Sequence, residues 1–193
     1  MTAVTALLRG VNVGGRRKVP MADLRAVIEH LGHRAVATHL NSGNAVFVVD
    51  EGTVVNEVTA EGADSLDSAA IATAVSAGLR ERLALDVDVV ARTAARWDAM
   101  VAANPFEDEA RADPGHVLVV FYADPVRSPG LDASRYGAER IVWDGAHAYV
   151  HYPDGIGRSR LTPDLLDRAA GQPGTGRNWR TVLALQELLR ARA

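Results

Sequence analysis

The stretch Val36-Ala37-Thr38-His39-Leu40-Asn41-Ser42-Gly43-Asn44-Ala45-Val46-Phe47-Val48-Val49 decides the fold. It reads as two short strands, Val36–Leu40 and Ala45–Val49, joined by a polar segment of turn-forming composition. Upstream, Val4–Leu8 reads as a buried strand and Pro20 takes a first helical position. Met21, Leu24, Ile28 and Leu31 then recur at helical spacing until Gly32. Downstream, Asp67 or Ser68 can cap a second helix whose Ile71, Val75, Leu79 and Leu83 recur every fourth residue. Val87–Ala91 is a fourth strand. The order β-α-β-β-α-β predicts a ferredoxin-like subdomain over residues 1–92, with both helices on one face of an antiparallel sheet.

Residues 93–193 read as a smaller α+β subdomain packed against the first. A helix from about Thr93 carries Trp97, Met100 and Val101 and stops at Asn104-Pro105, and His116–Ala123 is a strongly apolar strand. Asp144-Gly145, between Arg140–Trp143 and Ala146–Tyr152, is a strong hairpin signal. Thr162-Pro163 opens a helix that Gly171 ends, and Gln172–Gly176 reads as a glycine-rich connection into a last helix over Asn178–Arg192. Residues 50–66 are polar and irregular, with room for a short strand near Val54 and Val55. No internal repeat shows in the residues themselves.

Composition narrows the class. With 193 residues, 48% of them hydrophobic, the chain can build a core, and its mean hydropathy of -0.02 is that of a soluble globular protein. No apolar run reaches the roughly 20 residues of a membrane span, and Ala3–Leu8 is too short for a signal peptide. A cytoplasmic address is the expectation. The absence of cysteine rules out disulfides, thiol catalysis and cysteine-ligated zinc. The net charge of -3 argues against a surface built for bulk nucleic-acid binding. Yet Arg9, Arg16, Arg17 and Lys18 face no acid within residues 1–18, and Lys18 is the only lysine. The cationic chemistry is therefore guanidinium chemistry, suited to two-pronged contacts with phosphate or carboxylate.

The richest motif is Arg9-Gly10-Val11-Asn12-Val13-Gly14-Gly15, between the first strand and the first helix. Its glycines allow backbone N–H groups to turn inward as a nest, the helix start adds partial positive charge, and Arg9, Asn12 and the Arg16–Lys18 triplet supply side-chain donors. It has neither the Walker spacing nor the dinucleotide-binding spacing. Thr175-Gly176-Arg177-Asn178-Trp179 leads into the last helix in a similar way. Thr175 or Asn178 can cap that helix, Arg177 can fork onto an oxyanion, and Trp179 begins an apolar face. In Asn41–Asn44, Ser42 lacks a nucleophile elbow and reads as a turn residue, whereas Asn44 can hold a phosphate oxygen or orient a water. The six histidines form no metal-ligand spacing. Neither a metal nor a cofactor is expected.

The blocks Leu8–Gly15, Val19–Leu24, Asn41–Phe47, Asn104–Phe106 (N-P-F), Tyr152–Ser159 (Y-P-D-G-I-G-R-S) and Thr175–Val182 (T-G-R-N-W-R-T-V) together resemble one family. It is the bacterial domain-of-unknown-function family numbered 1697, and the resemblance runs from Leu7 to about Leu185. It implies a two-subdomain α+β protein with a ferredoxin-like N-terminal part, and it implies no activity. This chain departs from the family pattern at Arg180, where Asn is common. It departs again at His39-Leu40-Asn41, where an aromatic-Ile-Gln run is common, and its 50–66 segment is longer than usual.

The leading expectation is a site between the subdomains for a phosphate-bearing small molecule or nucleotide, lined by Arg9, Asn12, Gly14, Gly15, Asn44, Arg177 and Asn178. A helix start contributes about 0.3–1 kcal/mol to an exposed anion and a charged hydrogen bond about 1.5–3 kcal/mol. Two helix starts with one or two arginines thus reach roughly 4 kcal/mol, a millimolar complex. A physiological ligand needs an apolar part as well, for which Phe106, Trp143, Tyr149 and Tyr152 are candidate walls. One alternative is an acylphosphatase-like phosphate hydrolase that uses Arg9 with Asn44 or Asn12, by analogy of fold. Another is an RNA-binding module on the sheet, where only Phe47 offers a stacking ring.

Overall fold

The structure, a computed structural model, describes residues 1–12, 17–50, 67–127 and 130–193. They divide into two compact units, one of Met1–Ala99 with Leu185–Ala193 and one of Met100–Ala184. The fold is mixed α+β, with two antiparallel four-stranded sheets and six α-helices among the described residues.

Unit 1 opens with β1 (Thr2–Leu8), α1 (Met21–His30), β2 (Arg34–His39) and β3 (Asn44–Val49). It continues with α2 (Ser68–Leu83) and β4 (Val89–Thr93). The strand order is β2-β3-β1-β4, so α1 carries the chain past one strand from β1 to β2, and α2 does the same from β3 to β4. Val4, Ala6, Leu8 and Phe47 belong to one core with Leu24, Val27 and Ile28 of α1 and Ile71, Val75 and Leu79 of α2. The fourfold spacing in α2 thus marks its buried stripe. Asp67 supplies the cap, its carboxylate accepting from the amides of Ala69 (2.9 Å) and Ala70 (3.2 Å). Thr5 and Leu7 on the other side of β1 are buried too, which is why the strand shows no alternation of apolar and charged residues. The strand expected near Val54 and Val55 lies outside the described residues.

From β4 the chain turns at once into α3 (Ala94–Ala102), which ends before Asn104-Pro105 as its sequence predicts. Unit 2 then holds α4 (Glu107–Ala112), β5 (Val117–Phe121), β6 (Arg140–Asp144) and β7 (His147–His151). After these come α5 (Pro163–Ala170), β8 (Thr175–Asn178) and α6 (Trp179–Arg190), whose last residues fall in unit 1. The β6–β7 hairpin forms where Asp144-Gly145 predicts it, with the turn one residue later, at Gly145-Ala146, and Gly145 at φ +54°. Val120, Tyr122, Ala148, Val150 and Tyr152 pack with Leu166 of α5. Two elements go beyond the sequence reading. Glu107–Ala112 is helical, and Thr175–Asn178 pairs with β5 as an edge strand instead of forming a loop. T-G-R-N has no apolar alternation, so only its hydrogen bonds to Leu118–Phe121 make it a strand.

Sheet 2 has the order β6-β7-β5-β8, which is the order of sheet 1 with each strand replaced by its counterpart. The registers correspond as well. Thr5 faces Val46 and Arg92, while Val119 faces Tyr149 and Arg177. Arg92 and Arg177 each sit two residues before a helix, and each donates from Nη1 to the preceding carbonyl (2.7 and 2.8 Å). The next residue is a cap in both units: Thr93 Oγ1 accepts from the Arg96 amide (3.3 Å) and Asn178 Oδ1 from the Thr181 amide (3.0 Å). The repetition lies in topology and register and does not show in the residues themselves. No helix among the described residues is long and apolar enough to cross a membrane.

Candidate functional site

The β1–α1 loop and the β2–β3 turn are clasped together at one end of sheet 1. The Leu8 amide donates to Gly43 O at 2.8 Å. The Asn12 carboxamide does most of the rest: Nδ2 donates to Val19 O (2.9 Å) and to Asn41 O (2.7 Å), and Oδ1 accepts from the Val19 amide (2.9 Å). One side chain therefore closes its own loop and ties it to the turn. Val11 and Val19 are buried and anchor the two limbs. Gly43 is at φ +72°, and a Cβ there would stand 2.5 Å from Val11 Cγ2 and 2.7 Å from Leu8 Cβ, so the turn needs glycine both for its backbone and for this close approach.

Asn44 is fully buried beneath the turn, with Nδ2 donating to His39 O (3.0 Å) and to Ser42 Oγ (2.8 Å). Ser42 accordingly serves the turn. The same two segments concentrate left-handed backbone: Asn12 (φ +57°), Arg17 (+47°) and Leu40 (+56°) are three of the five non-glycine cases among the described residues. Such residues cost free energy and persist only where the surroundings impose them. Gly14 and Gly15, expected to form the nest, and Arg16, expected as a side-chain donor, lie outside the described residues.

Arg17 and Lys18 are exposed, and the Arg9 side chain is about one-third exposed. Two carboxylates from the segment before β4 stand beside them. Asp88 is 3.8 Å from Arg9, a long and exposed ion pair of small worth. The hydrogen bond from Arg80 holds the Asp86 carboxyl below its ordinary range, helped by the charges of Arg80 and Arg17. Among the described residues at this end of the sheet, the cations Arg9, Arg17, Lys18 and Arg80 outnumber Asp86 and Asp88.

Of the residues singled out in the sequence, Arg9, Asn12 and Asn44 come together in unit 1, while Arg177 and Asn178 are neighbours in unit 2. Arg177 is buried on β8, donating to Thr175 Oγ1 (2.7 Å) and Gly176 O (2.8 Å), and burial pushes its guanidinium down to about 10. Asn178 caps α6. Among the candidate apolar walls, Phe106, Tyr149 and Tyr152 are core residues, at most 3% exposed. The Tyr149 hydroxyl donates to Met100 O (2.7 Å), and the Phe106 ring lies under the Arg140 guanidinium (4.9 Å). Phe47 is buried in the helix-covered core, stacked on His33 at 4.9 Å, and offers no ring to a base. No metal-holding group of three or more His, Cys, Asp or Glu occurs among the described residues.

The residue that sequence reasoning passed over is Leu40, 61% exposed on the clasped turn. The signal available was its place in His39-Leu40-Asn41, where the chain departs from its resemblance. A bulky residue directly before a polar turn was not otherwise remarkable in the sequence.

The family model described as "Protein of unknown function (DUF1697)" matches residues 1–149. The solved structure of a conserved bacterial protein, SP0830 from Streptococcus pneumoniae, is similar with a TM-score of 0.67 at 20% identity, over 97% of this chain and 98% of that one. At that identity the likeness is one of fold. No curated protein matches the chain.

Proposed function

The chain belongs to the DUF1697 family of proteins of unknown function, and we propose that it binds a phosphate-bearing small molecule or nucleotide at the basic end of sheet 1. The observation that carries this reading is left-handed backbone at Arg17 and Leu40, neither glycine nor asparagine, on two clasped loops that present Arg9, Arg17 and Lys18. A scaffold that needed only to turn the chain would use glycine or asparagine at such positions. The interleaved order β2-β3-β1-β4 supports reading unit 1 as a ferredoxin-like subdomain, in which this loop is the first strand–helix junction.

In this reading Arg9 and Arg17 grip the phosphate while Asn12 and Asn44 shape the loops around it. Both donor hydrogens of Asn12 and both of Asn44 are engaged by protein oxygens. Neither amide is placed to steer an attacking water, so binding is proposed and hydrolysis is not. A dianionic phosphate competes well with the Asp88 carboxylate for Arg9, because that ion pair is long and solvated.

Thermal unfolding in inorganic phosphate or AMP, at about ten times the roughly millimolar Kd, tests the proposal. Ligand at ten times its Kd stabilises by about 1.4 kcal/mol, and this gain should vanish in Arg9→Ala and Arg17→Ala. A gain that survives both substitutions would place the anion elsewhere.

A further inference from the structure

The correspondence between the two sheets isolates one residue. Leu40 is the first residue after β2, and its counterpart, the first after β6, is Gly145. The following contacts correspond too: the Leu8 amide donates to Gly43 O at 2.8 Å, and the Tyr122 amide to Ala146 O at 2.9 Å. Leu40 has φ +56° and Gly145 has φ +54°. Each turn thus opens on a left-handed residue, an unstrained glycine in the two-residue turn of unit 2 and an exposed leucine in the four-residue turn of unit 1. Folding does not ask for that side chain. At the start of the unit 2 loop after β5, Ala123-Asp124-Pro125-Val126 stands where unit 1 has Arg9-Gly10-Val11-Asn12, so Arg9 has no cationic counterpart there, and Arg127 follows.

We propose that Leu40 sets the specificity of the phosphate site by packing against the apolar group of a phosphomonoester, so that the ligand class is an aryl or alkyl phosphate. The inference rests on the phosphate reading above. Leu40 is joined to the cationic loop by short links, since the carbonyl of the next residue, Asn41, accepts from Asn12, whose amide donates to Arg17 O. A strained, exposed leucine on the turn that is clasped to the cationic loop suits an anion with a hydrophobic tail. It also supplies the apolar contact without which phosphate alone binds only at millimolar levels.

The test compares phenyl phosphate with inorganic phosphate, titrated calorimetrically against the wild-type chain and against Leu40→Asn. Asparagine adopts φ near +56° readily, so the variant should fold and melt higher than wild type in the absence of ligand. Wild type should bind phenyl phosphate about tenfold tighter than inorganic phosphate, as partial burial of one leucine allows. Leu40→Asn should bring that ratio close to one and leave inorganic phosphate affinity unchanged. An equal ratio in both proteins, or no preference in wild type, overturns the role of Leu40 while leaving the phosphate site standing. Failure of wild type to bind either probe overturns the phosphate reading and this inference with it.

Discussion

Asn12 is the residue on which the proposed site depends most, because one carboxamide satisfies three partners on two segments. Asn12→Ala leaves the Val19 amide and two carbonyls without that partner and should cost about 1–3 kcal/mol, read as a lower urea midpoint at unchanged m-value. Gly43→Ala should cost a similar amount, about 1–3 kcal/mol, since its Cβ meets Val11 and Leu8 and its φ is +72°. The sequence made Asn12 visible as a donor but not as a clamp. Its acceptors at Asn41 and Val19 come within reach only after the chain has folded back across β2 and β3. The reverse holds for Phe106, Tyr149 and Tyr152. Aromatic rings suit a ligand wall or a core equally well, and only tertiary packing assigns them to the core.

Helix caps are the features of the elements most open to a direct check. Asp67→Ala removes two N–H contacts at the start of α2 and Asn178→Ala removes one at the start of α6. Each should lower stability by about 1 kcal/mol, measured by thermal or urea unfolding. Elements with their own periodicity were readable in advance: α2 through Ile71, Val75 and Leu79, and the β6–β7 hairpin through Asp144-Gly145. β8 was not, because Thr175–Asn178 owes its strand state to pairing with β5 and carries no local pattern. Nor does spacing show that Leu185–Ala193, at the end of α6, belongs with unit 1. That assignment follows from contacts such as Arg192 Nε donating to Ala35 O at 2.6 Å and Arg190 lying 3.4 Å from Asp98.

For the molecule as a whole, pH and ligand are the two informative variables. Burial lowers the His33 imidazole below its ordinary 6.5, against a smaller opposing effect of Asp50, and the ring stacks on Phe47. Burial, then the Arg140 charge, lowers His151 in the same direction. The folded state therefore favours neutral imidazoles, and the unfolded chain takes up more protons as pH falls through about 6.5. Stability should be level above about pH 7, decline from there toward pH 5, and decline less steeply in His33→Gln. Glu109 and Asp132, both lowered chiefly by side-chain hydrogen bonds, act only below that window, where acid begins to protonate carboxylates. The central claim is that the clasped loops of unit 1 hold a phosphate, and amide-resolved NMR titration of the full chain with inorganic phosphate tests it most directly. The account predicts saturable shifts confined to Arg9–Lys18 and Leu40–Gly43, absent in Arg17→Ala; no saturable shift there, or shifts only in other segments, would contradict it.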